Sequence, residues 1–169
     1  TVSDPGLTTT ALPKTLLPDI ILAIPFPKRM RWADSTISFA RPIHSLLALY
    51  GGSRIGFTLG GIRSGRTTFG HRFMHPRTIK VAEPAAYVEA LRSGFVIVDP
   101  VERRRLIAEG AAQAAAAVGG HVLPDEELLG TVTQLVEYPA IAVGRFADTF
   151  LELPAEVLIT AMREHQKYF

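Results

Sequence analysis

Residues 99–118 read DPVERRRLIAEGAAQAAAAV, and their order specifies a helix with both ends marked. Asp99 has the short acceptor side chain of an N-cap, and Pro100 stands at the first helical position, where a missing N–H costs nothing. Glu102 follows three residues after the cap, and Gly119-Gly120 stops the run. Toward the C-terminus, a second helix is expected from near Asp125, a strand over Ala140 to Gly144, and a last helix over Pro154 to His165. Toward the N-terminus, Pro84 to Arg92 predicts a helix ended by Gly94, and Thr78 to Ala82 a short strand. Ile37 to Tyr50 reads as extended and closes at the turn pair Gly51-Gly52, with Arg54 to Ile62 as hairpin partner. Ile55, Phe57 and Leu59 alternate there, which places them on one strand face. Pro18-Asp19 is expected to open a short helix that Pro25 and Pro27 stop. Thr1 to Pro13 has no periodicity, so residues 1–15 form a loose lead-in and 16–169 one compact domain. Strands and helices without a βαβ rhythm predict an α+β fold, a mixed β-sheet with packed helices.

The composition is that of a folded chain: 47% hydrophobic and 20% charged residues over 169 positions exclude wholesale disorder. No apolar run approaches the ~20 residues of a membrane-spanning helix, and no signal-peptide pattern opens the chain. Cysteine is absent, so burial rather than disulfides or thiolate metal sites must hold the fold. The start at Thr1 and the end at Phe169 are expected to be cuts in a longer protein. The net charge of +2 conceals an asymmetry. Between Lys28 and Lys80 stand ten bases (Lys28, Arg29, Arg31, Arg41, Arg54, Arg63, Arg66, Arg72, Arg77, Lys80) and one acid, Asp34, or +9. From Val81 onward seven bases face thirteen acids, or −6. A basic first half implies an anionic partner, unless its charges are paired across the fold.

Motifs for chemistry are mostly excluded. Gly60 to Thr67, GGIRSGRT, imitates a phosphate-binding loop, but Arg66 replaces the lysine, and Thr67, Thr68 and Gly70 are unsuited to the helix that must follow. His71 and His75 have metal-pair spacing only on a helix, which Gly70 and Pro76 oppose. No nucleophile–base signature is present, and Glu164-His165 reads as a helix end. No catalytic and no metal residue is therefore assigned. His71, Arg72 and Phe73 combine hydrogen bonding, charge and a stacking face in one basic loop.

Four blocks together resemble the β subunit of the bacterial heterotetrameric glycyl-tRNA synthetase: PFPKRMRW (Pro25 to Trp32), SFARPIHSLLALYGG (Ser38 to Gly52), GHRFMHP (Gly70 to Pro76) and LPAEVLITAMREHQKYF (Leu153 to Phe169). Weaker agreement runs through GFVIVDPVERR (Gly94 to Arg104) and LVEYPA (Leu135 to Ala140). Ala33 stands where the family often has glycine and Tyr138 where it often has tryptophan. The resemblance implies an interior β-subunit module similar to the editing module of phenylalanyl-tRNA synthetase. It implies a cytoplasmic enzyme of two α and two β subunits in which ATP activates glycine on the α subunit. This fragment would then hold no cofactor, and alone it would neither activate glycine nor charge tRNA. Its partners would be glycine tRNA and the α subunit.

Three roles compete. A tRNA-contacting module would use Lys28, Arg29, Arg31, Arg63, Arg66, His71, Arg72 and Phe73. In a purely structural inter-domain scaffold, Arg41 and Arg72 would be internal ion-pair partners. A hydrolytic proofreading pocket rests on fold analogy alone, and glycine leaves no smaller amino acid to reject by size.

Overall fold

The computed structural model describes Thr8 and residues 11–169, so most of the lead-in expected over residues 1–15 lies outside the described residues, and its last four residues, 12–15, are helical rather than loose. The chain divides into two compact units, 1–94 and 95–169. No helix among the described residues is long and apolar enough to cross a membrane.

The first unit opens with α1 (Leu12–Ala23), which starts six residues before the predicted site and carries Pro18 inside it. Pro13 fits the first turn, but Pro18 removes one interior hydrogen bond, so a helix starting at Pro18 was the simpler expectation. Six short strands follow. β1 (Leu49–Tyr50) pairs antiparallel with β2 (Ser53–Arg54) across Gly51-Gly52, as the turn pair predicts, and Gly51 takes φ +52°. The partner strand is shorter than expected. After β2 the chain kinks and forms a second hairpin, β3 (Thr58–Leu59) with β4 (Ile62–Arg63), around Gly60-Gly61. β5 (Thr67–Phe69) pairs with β6 (Thr78–Lys80). A strand therefore follows the GGIRSGRT loop where a phosphate-binding loop has a helix. Leu47 meets Gly65 in a parallel bridge, so antiparallel and parallel pairing coexist.

Ile55, Leu59, Val81 and Leu91 form the core of this unit, and Phe57 is half-buried. Ser64 is buried among them at 1% exposure. Its hydroxyl donates to the Ile55 carbonyl (2.7 Å) and accepts from the Phe57 N–H (2.9 Å), so no polar group is stranded there. A 3-10 turn, Pro84–Ala86, leads into α2 (Tyr87–Ser93), which Gly94 ends.

The second unit is built on α3 (Pro100–Ala117) and α4 (Glu126–Leu135), packed through Ile107, Ala111 and Leu128. Asp99 caps α3 as predicted, accepting the Val101 N–H at 2.8 Å. Replacing Asp99 with Ala should cost about 1 kcal/mol, read as a lower urea midpoint with an unchanged m-value. Arg103 leaves the face of α3 to bind backbone: its guanidinium donates to the carbonyls of Ile97 (2.6 Å), Val98 (3.0 Å) and Thr133 (3.2 Å). Ala140 to Gly144 is not a strand. The segment has no strand partner among the described residues, and Ile141 lies over Gly110, where an added Cβ would come within 2.7 Å of it. A short apolar run reads alike whether the chain joins a sheet or crosses a helix. The last helix, α5 (Ala155–Thr160), continues through a wide π turn, Ala161–Gln166.

Asp125 caps α4 through the Leu128 N–H (2.8 Å) and meets the guanidinium of Arg163, which also contacts Glu127 (3.0 Å) and Glu164. The Arg163 hydrogen bond, followed by the Leu128 amide, holds the Asp125 carboxyl below its ordinary 3.8, and the same carboxylates raise Arg163. A carboxyl depressed in the folded state contributes fully above its unfolded pKa and loses that contribution as pH falls through the folded value. Asn keeps the cap but not the charge. The Asp125→Asn variant should therefore melt below the parent at neutral pH, and the gap should narrow as pH falls below 3.8. Equal gaps at both pH values would exclude the ion pair as the cause.

Candidate nucleic-acid interface

The basic segment presents its side chains from three places. The first is the stretch after α1. Arg29 turns back to it, donating to the carbonyls of Ile24 (2.6 Å) and Leu22 (3.3 Å), which a helix C-terminus leaves without intrahelical partners. Lys28 and Arg31 on either side are exposed, and among the described residues neither side chain makes such a contact. Met30 is bridged to Phe39 by two backbone hydrogen bonds (2.9 and 3.1 Å), and Phe26 packs edge-on against Phe39 at 4.8 Å. These contacts fix the loop that carries the three bases. Trp32 is half-buried and lines an open groove of about 300 Å³ with Asp34, Ser35, Gly60 and Gly61.

The second place is the β3–β4 hairpin and its exit. Arg63 is exposed on β4. Arg66 is half-buried and donates to the carbonyls of Ala82 (2.6 Å) and Gly52, tying the first hairpin to the end of β6. Its own carbonyl accepts the Val81 N–H at 2.8 Å. Arg66 therefore acts first as a structural tie.

The third is the loop between β5 and β6. Gly70 and Gly94 approach so closely that a Cβ on Gly70 would lie 2.6 Å from the Gly94 oxygen. The His71 N–H donates to that oxygen at 2.7 Å. His71 Nδ1 then accepts the N–H groups of Met74 (3.2 Å) and Phe73 (3.3 Å), so the imidazole caps a tight turn. His71 and His75 share a turn rather than a helix face, and among the described residues no three His, Cys, Asp or Glu side chains gather as a metal site. At the tip Phe73 is 82% exposed, with the Arg72 guanidinium 5.8 Å from its ring centre and Met74 half exposed beside it. The Gly70–Gly94 contact carried no sequence signal, because it joins positions 24 apart.

Charge pairing differs between the units. Among the described residues, none of the ten bases from Lys28 to Lys80 forms an ion pair within its unit, Arg41 and Arg72 included. In the second unit Arg104, Arg105 and Arg163 are paired to Glu126, Glu109 and Asp125.

The family model described as glycyl-tRNA synthetase beta subunit matches residues 1–169. The chain belongs to that family. Among curated members it is 52% identical over 164 residues to the glycine–tRNA ligase beta subunit of Syntrophus aciditrophicus, covering 97% of this chain and 24% of that protein. It is 48% identical to the corresponding subunits of Syntrophotalea carbinolica (97% and 24% covered) and Desulfatibacillum aliphaticivorans (99% and 24% covered). The chain thus spans about a quarter of the length of these glycyl-tRNA synthetase beta subunits, and its basic segment lies wholly within the matched family region.

Proposed function

We propose that this chain is a non-catalytic, tRNA-contacting and architectural module of the β subunit of a heterotetrameric glycine–tRNA ligase. In this reading two α and two β subunits work in the cytoplasm, ATP activates glycine on the α subunit, and this module holds no cofactor or metal. One observation carries it: ten bases stand against Asp34 between residues 28 and 80, and none of the ten is neutralised by a carboxylate of its own unit among the described residues. Cations left unpaired on a surface gain most from a polyanion, because phosphate neutralisation releases counterions. Arg29 and Arg66 supply the architectural part, since their guanidinium groups are hydrogen-bonded to backbone carbonyls.

Titrating glycine tRNA at increasing salt tests this. If Lys28, Arg31, Arg63 and Arg72 each meet a phosphate, those four alone give a log–log slope of roughly −2.8 to −3.6. Binding insensitive to salt, or none at low salt, would overturn the proposal.

A further inference from the structure

The β5–β6 loop has a feature that phosphate contact does not require. Phe73 is 82% exposed at the tip of a turn whose geometry is fixed from below: the His71 imidazole accepts two of its N–H groups, and Gly70 is pressed against Gly94. An exposed phenylalanine on a loose loop would be an ordinary surface residue. One held on a capped turn, with a guanidinium already over one face of its ring at 5.8 Å, is a pre-ordered flat surface with positive charge beside it and its other face open to a base. We infer that Phe73, with Arg72, is a stacking platform for an unpaired nucleotide, Phe73 taking the base and Arg72 the adjoining phosphate. The inference rests on the RNA-contacting role proposed above and narrows it to a single-stranded element of the RNA.

Charge selects this occupant over an apolar protein surface. Arg72 and Arg77 are both exposed in this loop, no carboxylate lies between Asp34 and Glu83, and burying such bases against an apolar partner would leave them unpaired. A duplex offers stacking only at its ends, whereas loops and single-stranded ends offer free π faces.

The test uses the α/β enzyme with glycine tRNA and three β-subunit variants: Phe73→Leu, Phe73→Trp and Arg72→Ala. Leu keeps apolar bulk but no π face. Phe73→Leu should weaken tRNA binding roughly 5- to 150-fold with the salt slope unchanged, while Phe73→Trp retains affinity and its added fluorescence is quenched by tRNA. Arg72→Ala should lower the magnitude of the slope by about 0.7 to 0.9. If Phe73→Leu binds like the parent while Arg72→Ala still alters the slope, the platform is refuted and the wider RNA role stands. If Phe73→Leu instead weakens subunit assembly with tRNA affinity intact, Phe73 is a protein contact and the inference fails. A parent enzyme whose tRNA binding is insensitive to salt would remove both.

Discussion

Gly70→Ala should destabilise the protein by about 1–3 kcal/mol, the usual cost of forcing a methyl group into a filled site. The added Cβ would meet the Gly94 oxygen at 2.6 Å, His75 Nδ1 at 3.0 Å and the Gly94 Cα at 3.1 Å. Two of these are backbone atoms, so a rotamer change cannot relieve the contact. The His71 N–H bond to the Gly94 oxygen would open together with the turn that carries Phe73. Urea unfolding measures the loss. Gly144→Ala is the control, because no atom comes within 4 Å of a Cβ there. Equal midpoints for the two variants would show that the Gly70–Gly94 approach has no energetic weight.

The second large effect is expected at Arg66. Arg66→Ala removes two charge-assisted hydrogen bonds to the carbonyls of Ala82 and Gly52 and should cost about 1–2 kcal/mol, at the low end for such bonds because the side chain is only half-buried. Arg63→Ala, three residues away and exposed, should change stability by less than about 0.5 kcal/mol. The two arginines are equivalent in the sequence pattern and separate only in the fold. A pair of melting curves distinguishes them, and matching curves would contradict the structural role given to Arg66.

That contrast marks the limit of what the sequence contains. Signals local to a few residues were legible: Asp99 as a cap, a helix start near Asp125, Gly94 and Gly119 as stops, Gly51-Gly52 as the hairpin turn. The charge asymmetry was legible too, because it needs only counting. What failed depended on distant partners. Ala140 to Gly144 is a short apolar run of the kind a strand has, but it joins no strand among the described residues, and Ile141 rests on Gly110 instead. Pro18 imitates a helix start because its fixed φ suits one, yet α1 runs through it. For the site, Arg72 and Phe73 could be singled out as a charge and a stacking face adjacent in one basic loop, and the fold exposes both and brings them into contact. Arg29 and Arg66 stood beside them as candidates of equal standing. Their acceptors are backbone oxygens, which no side-chain pattern encodes, and for Arg66 they lie 16 residues ahead and 14 behind.

Whether the unpaired bases meet RNA phosphate is decided most directly by one comparison. The enzyme carrying Arg31→Ala, Arg63→Ala and Arg72→Ala together, with Arg29 and Arg66 left in place, is titrated with glycine tRNA against the parent over a range of salt. Three lost phosphate contacts should reduce the magnitude of the log–log slope by roughly 2.1 to 2.7 and leave the melting temperature of the protein unchanged. A slope equal to the parent's, in a variant that is equally stable, would contradict the assignment of this basic segment to RNA.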